Sequence, residues 1–273
     1  MKILNLIKFF VYILLYFIVF NKRKYYKQKI QKHYNKLRRK VEINANIDNN
    51  INIPKKSEMD LIVNVNGKGN NINIKNLYGC GKITINVSGN DNDITIDSLT
   101  TAGKLSVFCH CNKSAVKIKE LMLEENLEIY NGYQPFYKNI DNCNITIGAN
   151  TSIGSGFVFN PHSNTQIKIG DNCMLSSDIS IRNTDGHPIY DINTNECLNK
   201  VKAGSSIEIG NHVWIGASTT ILKNSAVPDD SIVGTQAVVT KKYTEPNIAV
   251  AGNPAKVVKQ GITWTRENTD FFD

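Results

Sequence analysis

One aliphatic residue recurs at every sixth position through much of the C-terminal half of this chain. The longest run fills six successive slots without a break, and glycine follows three of them: Ile209, Ile215, Ile221, Val227, Val233 and Val239. An amphipathic helix repeats its apolar residues at steps of three and four, and a half-buried strand repeats them at steps of two. A step of six fits neither. It predicts a triangular prism whose sides are six-residue units, with each aliphatic side chain pointing towards the axis.

A second period, of eleven residues, precedes the first. Seven apolar pairs, each with two residues between first and second member, mark it: Leu61/Val63, Ile72/Ile74, Ile83/Ile85, Ile94/Ile96, Leu105/Val107, Val116/Ile118 and Leu127/Ile129. The spacing inside a pair is that of one face of a strand, and Gly, Asn, Asp and Ser between pairs are turn residues. The pattern predicts a β-solenoid with two strands per coil over residues 41–138, with an antiparallel meander as the alternative. This layer would serve as a spacer, an oligomerisation surface or a glycan-contact surface.

The positive charge of the chain is concentrated at one end. Residues 1–40 contain 12 of the 32 Lys and Arg and none of the 24 Asp and Glu, so the remainder carries a net charge of −4. This distribution argues against nucleic-acid binding by the body of the protein. The apolar run from Phe9 to Phe20 is shorter than the roughly 20 residues that a membrane span needs.

We expect residues 1–40 to form a short helix whose basic residues favour the inner face of the cytoplasmic membrane. A solvated helix packed on the body or on a partner subunit is the alternative. The six cysteines form no Cys-x-x-Cys pair, which is typical of a reducing compartment. Strand alternation separates Cys109 and Cys111 from His110, so no metal site is predicted.

Three stretches of the C-terminal half carry a resemblance to a known family. They are Asp185-Gly186-His187-Pro188, the run from Ile209 to Ala217, and the run from Ala251 to Lys259. The chain resembles the hexapeptide-repeat acyltransferases, and within them the bacterial polysaccharide and sugar O-acetyltransferases. The resemblance implies a left-handed parallel β-helix over residues 139–260, a C-terminal tail over 261–273, a homotrimer, and acetyl-CoA as co-substrate without a metal.

The six-residue rhythm breaks after Ile181 and resumes at Ile207, and the interruption contains His187. A loop ejected from a rigid scaffold is a common place for function. An imidazole can accept the proton of a sugar hydroxyl near neutral pH. We therefore expect His187 to be the catalytic base. Asp185 would orient the imidazole, bind acceptor hydroxyls or cap the turn. The resemblance implies direct transfer without an acyl-enzyme.

The resemblance also implies the acetyl-CoA site. Trp214 would lie near the acetyl end, and a backbone N–H of Gly216-Ala217 would contact the thioester oxygen. Thr235 would contact the pantetheine arm, and Thr240 would lie near the nucleotide end. Lys241, Lys256 and Lys259 would supply charge for the phosphates.

Three other functions use the same features. An N-acetyltransferase acting on an amino sugar or an antibiotic shares the whole frame. A γ-type carbonic anhydrase also uses this helix, but it needs three zinc-binding histidines, and His162, His187 and His212 lie twenty-five residues apart. A non-catalytic β-solenoid explains residues 41–138 but leaves the Asp-Gly-His-Pro motif without a role. The sequence therefore favours O-acetylation of a sugar or cell-surface polysaccharide in polysaccharide biosynthesis.

Overall fold

The computed structural model describes residues 41–54, 60–77, 82–99, 104–121, 127–131 and 140–267. The predicted N-terminal helix over 1–40, and the predicted boundary between residues 138 and 139, lie outside these ranges. The described residues form strands and connecting turns, and they include no helix long and apolar enough to cross a membrane.

Twenty-three strands, numbered in chain order, make up the described part of the fold. They are β1 (Val41–Ala45), β2 (Asn50–Asn52), β3 (Asp60–Asn66), β4 (Asn71–Leu77), β5 (Lys82–Ser88), β6 (Asp93–Leu99), β7 (Leu105–Cys109), β8 (Ala115–Leu121), β9 (Leu127–Asn131), β10 (Cys143–Ile147), β11 (Ser152–Ile153), β12 (Gly156–Phe159), β13 (Thr165–Ile169), β14 (Met174–Leu175), β15 (Ile179–Arg182), β16 (Ser206–Ile209), β17 (Trp214–Ile215), β18 (Thr220–Leu222), β19 (Ala226–Val227), β20 (Ile232–Val233), β21 (Val238–Val239), β22 (Ile248–Ala251) and β23 (Lys256–Gln260).

The strands belong to three sheets, which we call A, B and C. Sheet A has the order β1-β3-β5-β7-β9-β12-β15-β18-β21, and sheet B has the order β2-β4-β6-β8-β10-β13-β16-β19. Sheet C has the order β11-β14-β17-β20-β22-β23. All neighbours are parallel except β22 and β23, which form an antiparallel pair at the end of sheet C.

The eleven-residue period produces a two-stranded coil, as predicted. Leu61 pairs with Ile83 on sheet A, and Ile72 pairs with Ile94 on sheet B, so one coil takes 22 residues. These four side chains are fully buried between the two sheets. The parallel pairing excludes the antiparallel meander for this layer.

The six-residue period produces the three-sided coil. Ile209, Ile215 and Ile221 lie on β16, β17 and β18, so successive repeats fall on sheets B, C and A. Their side chains are buried in one central core. Ile209 pairs with Val227, 18 residues later, which is three units of six. This confirms the left-handed parallel β-helix expected from the sequence.

The two layers are continuous where they meet. Strand β9 pairs with β12 on sheet A, and β8 pairs with β10 on sheet B, while sheet C begins only at β11. The aliphatic residues of both layers belong to the same buried cluster. The solenoid therefore extends sheets A and B directly towards the loop that carries His187.

Candidate active site

The loop over residues 183–205 leaves the prism at the corner between sheets A and B. Its first residue, Asn183, is fully buried, and its backbone N–H donates to the carbonyl of Phe159 at 2.9 Å. The Asn183 amide donates to Asn160 Oδ1 at 3.1 Å, and the Asn160 amide donates to the carbonyl of Asn144 at 3.1 Å. Asn160 is fully buried. These two amides fix the root of the loop and do not reach an acceptor.

His187 is exposed on a turn that Asn199 braces from the other end of the loop. The Asn199 amide donates to Asp185 Oδ2 at 2.7 Å and to the carbonyl of His187 at 3.0 Å. The Asn199 Oδ1 atom accepts the backbone N–H of Ile189 at 2.8 Å. One side chain therefore holds the residues on both sides of the imidazole. The sequence gave no signal for Asn199, because it lies in an aperiodic polar stretch.

Asp185 is bound by Lys223 and Asn199. The Lys223 ammonium donates to Asp185 Oδ2, and no hydrogen bond joins Asp185 to His187 in the described structure. Partial burial disfavours the charged carboxyl, but hydrogen bonds from Lys223 and Asn199 outweigh it and lower the pKa of Asp185. Asp185 therefore remains an ionised acceptor that holds the turn against the next coil.

His162 supports the turn from the preceding coil. Its Nε2 atom lies 3.0 Å from Thr184 Oγ1, which also accepts the backbone N–H of Gly186 at 3.0 Å. Burial lowers the pKa of His162, and the positive charge of Lys223 adds to this effect. His162 therefore stays neutral and positions the Asp-Gly-His turn, a role that the sequence did not suggest.

The three histidines considered for zinc are separated in the fold. The His212 Nδ1 atom lies 2.8 Å from Asp230 Oδ1 at the corner between sheets B and C, whereas His162 and His187 belong to the corner between A and B. In the described ranges, no group of three or more His, Cys, Asp or Glu could hold a metal ion. The arrangement of these side chains argues against the carbonic anhydrase alternative.

The candidate cofactor residues on sheet C are aligned by strand pairing. Trp214 pairs with Ile232, Ile232 with Ala249, and Ala249 with Lys259. All four side chains face away from the core, and the Trp214 side chain is 37% exposed. Lys256 pairs with Ala251 on the same edge. The sheet thus presents an aromatic residue at one end of a track and two lysines at the other.

The backbone beside Trp214 decides which N–H group is available. The Gly216 N–H donates to the carbonyl of Val233 at 2.8 Å as part of the coil stacking. A side chain at Gly216 would lie 2.6 Å from Thr235 N, so only glycine fits there. The Ala217 carbonyl accepts the N–H of Gln236 at 2.9 Å, but the Ala217 N–H has no acceptor in the described part of the chain. Ala217 therefore provides the free backbone donor.

The remaining predicted residues fall into two places. Thr235 is exposed directly after β20, beside Gly216. Thr240 and Lys241 are exposed directly after β21 on sheet A, at the corner that also carries the His187 loop. The Lys241 ammonium lies 5.3 Å from the centroid of the Tyr243 ring. In a single chain, these two residues therefore lie on a different edge of the prism from Trp214.

Comparison with known proteins follows this geometry. No protein-family model matches the chain. The polysialic acid O-acetyltransferase of Escherichia coli O1:K1 / APEC is 37% identical over 124 residues, 45% of this chain and 38% of the relative. The polysialic acid O-acetyltransferase of Neisseria meningitidis is 34% identical over 125 residues, 46% of this chain and 56% of the relative. The chain therefore spans about half or less of the length of these curated relatives.

A solved structure matches over a larger share. The crystal structure of the polySia specific acetyltransferase NeuO has a TM-score of 0.60 and 30% identity, covering 76% of this chain and 89% of that one. This chain belongs to the hexapeptide-repeat acyltransferase family. Within this hexapeptide-repeat protein, the matched share extends beyond the prism, since residues 139–260 alone are less than half of the chain.

The C-terminal tail of this hexapeptide-repeat protein descends the corner between sheets B and C. The Trp264 indole N–H donates to the carbonyl of His212 at 2.7 Å, and its ring stacks on His212 at 4.5 Å between centroids. The Trp264 ring lies 6.2 Å from that of Trp214. Arg266 donates to Ser152 Oγ at 2.8 Å and to the carbonyl of Cys173. The tail therefore packs behind Trp214 and is fastened below it.

The buried thiols are unsuited to covalent catalysis. Burial raises the pKa of Cys173 to about 11. A hydrogen bond with Cys109 raises the pKa of Cys111, and a hydrogen bond with Cys111 raises the pKa of Cys143. Since the thiolate is the nucleophilic form, these three residues remain protonated and inert.

Proposed function

We propose that this protein is an acetyl-CoA-dependent O-acetyltransferase that acetylates a hydroxyl of a polysaccharide. The observation that carries the proposal is the braced turn at His187. An exposed imidazole lies on a turn that Asn199 holds on both sides and that Thr184 anchors to the prism. Such support keeps a base in one position, as general-base catalysis requires.

The chemistry proposed for His187 is direct transfer. The imidazole accepts the proton of the acceptor hydroxyl while the hydroxyl oxygen bonds to the acetyl carbon and the carbon–sulfur bond breaks. The imidazolium then returns the proton to the departing thiolate, so no acyl-enzyme forms. The Ala217 N–H is the donor that supports charge on the carbonyl oxygen, a contact worth about 3 kcal/mol in other enzymes.

The residues exposed on sheet C fit an extended acetyl-CoA molecule. Trp214 offers an aromatic surface beside the free Ala217 N–H, and Lys259 and Lys256 offer positive charge at the end of the same sheet. The exposed Thr235 lies beside Gly216. We assign the acetyl end to Trp214 and the phosphates to the lysines.

The proposal includes a homotrimer, because the base and the cofactor track lie on different edges of one chain. His187 belongs to the corner between sheets A and B, and Trp214 belongs to sheet C. In a homotrimer the corner of one copy would meet sheet C of the next. Exposed apolar side chains on the His187 loop support such contact: Ile189 is 54%, Tyr190 53% and Leu198 62% exposed.

We further propose that the protein works at the inner face of the cytoplasmic membrane. The support is the concentration of basic residues behind an apolar run in residues 1–40. Deleting residues 1–40 should release the protein from anionic vesicles without changing turnover of a soluble acceptor. Retention of the truncated protein on the vesicles would contradict this assignment.

The experiment that tests the function uses radiolabelled acetyl-CoA with purified polysaccharides, acidic and neutral. We expect the label to enter a polysaccharide and to be released by mild alkali, as an ester is and an amide is not. Alkali-stable label would instead identify N-acetylation. Absence of transfer to every acceptor, by protein that is folded and trimeric, would overturn the proposal.

A further inference from the structure

Arg182 lies directly beneath the turn that carries His187, and no predicted site included it. It is the last residue of β15, and its side chain points away from the core because the adjacent Ile181 is fully buried. A side chain placed on Gly186 would come 3.9 Å from Arg182 Nη2. The guanidinium therefore reaches the middle of the Asp-Gly-His turn.

The guanidinium of Arg182 has no partner among the described residues. It forms no hydrogen bond and no ion pair with them, and its Nε atom is buried without an acceptor. Buried donors in folded proteins are nearly always hydrogen-bonded, so an unpaired one requires an explanation. The nearest carboxylate does not provide it, because Asp185 is already bound by Lys223 and Asn199.

The charges at this corner leave one positive charge uncompensated. Lys223 and Asp185 neutralise each other, while Arg182 lies close enough to lower the pKa of Asp185 without bonding to it. A guanidinium with free, coplanar N–H groups matches a carboxylate or phosphate through two parallel hydrogen bonds. The corner is therefore complementary to an anionic ligand.

We propose that Arg182 binds the carboxylate of an acidic sugar in the acceptor, which makes an acidic polysaccharide the substrate class. This inference rests on the proposed function, in which the acceptor hydroxyl lies at His187. A molecule that reaches His187 also reaches Arg182, since both belong to the same turn. The cofactor phosphates are assigned to Lys256 and Lys259, at the far end of sheet C from Trp214. The carboxylate of the acceptor is thus the anion that falls beside Arg182.

The test compares acidic oligosaccharides with neutral copies of themselves. Oligosialic acid and oligogalacturonic acid are each measured against the same oligomer after reduction of its carboxylates to primary alcohols. Binding is measured by calorimetry without acetyl-CoA, and turnover is measured separately. We expect wild type to prefer an acidic oligomer, and Arg182→Gln to weaken that binding on the order of 10- to 100-fold. Arg182→Lys should recover only part of it, because a point charge replaces the planar fork.

The controls separate this assignment from general loss of charge or fold. Lys168→Gln removes an exposed cation from sheet B and should leave binding unchanged. The Arg182→Gln variant should bind the reduced oligomers as wild type does and should keep its thermal transition and its KM for acetyl-CoA.

Three results would overturn the role of Arg182. One is equal wild-type binding of every acidic oligomer and its reduced copy. Another is unchanged acidic binding by Arg182→Gln, and the third is a raised KM for acetyl-CoA alone, which would assign the anion to a phosphate. Acid-selective binding that depends on Arg182, without acetyl transfer to any acceptor, would instead refute the proposed function and leave this assignment standing.

Discussion

Trp214 and Lys259 occupy the same register column of sheet C, three strand spacings apart. The column passes through Ile232 and Ala249, and all four side chains face solvent. Strands in a sheet are about 4.8 Å apart, so the two ends of the column are separated by about 14 Å. The antiparallel turn that adds β23 to the sheet is what brings Lys259 into line. A long, thin molecule with an anionic end can therefore lie along this column.

Replacing Lys259 with Gln should raise the KM for acetyl-CoA about tenfold and leave the KM for the acceptor unchanged. The reason is the loss of one charge-assisted contact to a phosphate at the end of the column. Steady-state kinetics with dephospho-CoA thioester should show a smaller effect of the same substitution if the contact is to the 3′-phosphate. Lys168→Gln, on sheet B, is the matched control. Equal KM values for wild type and Lys259→Gln would remove Lys259 from the cofactor site.

The prism could be predicted from the sequence because its period is local and repeated. Ile209, Ile215 and Ile221 each form one side of the same coil, so the spacing alone specifies both the sheets and the core. The eleven-residue layer was predictable for the same reason. Only the handover between layers, where β9 pairs with β12 across 29 residues from Leu127 to Gly156, breaks the rule.

The supports of the His187 turn could not be predicted in the same way. Asn199 contacts Asp185 across 14 residues of the loop, and Lys223 contacts it across 38 residues, from the next coil. These separations depend on the length of the inserted loop and on coil stacking, neither of which repeats. The choice between Gly216 and Ala217 as the free donor likewise depends on pairing with Val233 in the next coil.

Replacing His187 with Ala should lower kcat on the order of 100- to 10,000-fold, because the acceptor hydroxyl loses its base. The side chain is exposed, so the thermal transition and the oligomeric state should stay as in wild type. Rates are measured from thiol release under saturating substrates, with light scattering for the oligomer. Near-normal turnover by a folded His187→Ala protein would refute the mechanism.

Asn199→Ala should lower kcat by about tenfold or more with little change in either KM, because displacement of a base by even 1 Å is costly. The substitution removes the hydrogen bonds to Asp185, to the His187 carbonyl and to the Ile189 N–H. Asn193→Ala is the matched control, since the Asn193 side chain is exposed at the tip of the same loop. If both variants kept the wild-type kcat, Asn199 would not position the turn.

The stability of the protein should fall as the pH decreases below about 6.5, and His162 should account for part of the fall. Burial lowers the pKa of this imidazole from its ordinary value of 6.5, so the unfolded chain binds a proton that the folded chain resists. Its contribution to the free energy of unfolding is therefore present above 6.5 and is lost as the pH falls towards the lowered pKa. His162→Gln should show a smaller loss between about pH 7.5 and about pH 5 in urea denaturation.

The wild-type slope will not disappear completely in that variant, because burial also lowers the pKa of His110. His162→Gln with the same acid loss as wild type would mean that His162 is protonated as readily in the folded state as in the unfolded one. His187→Ala serves as the control for this measurement, since its ring is exposed.

Trp264 should act as a positioning residue for Trp214. The two are the only tryptophans of the chain, and their rings are 6.2 Å apart, with Trp264 itself held by the His212 carbonyl and stacked on the His212 ring. Trp264→Ala removes the support behind Trp214 and should raise the KM for acetyl-CoA about 3- to 10-fold, with the acceptor KM unchanged. Trp264→Phe keeps an aromatic ring and should have a smaller effect. Arg266→Ala, which unfastens the tail below Trp264, should behave like Trp264→Ala.

The fluorescence of these variants separates positioning from general destabilisation. Trp264→Phe leaves Trp214 as the single emitter, and acetyl-CoA should quench it with a dissociation constant close to that of wild type. Trp264→Ala should show a red-shifted Trp214 emission and weaker quenching, while its thermal transition stays above the assay temperature. Trp214→Phe should abolish the acetyl-CoA-dependent quenching, because Trp264 is only 7% exposed and would lie behind the cofactor. Wild-type quenching and KM in Trp264→Ala would mean that the tail covers the corner without shaping the cofactor site.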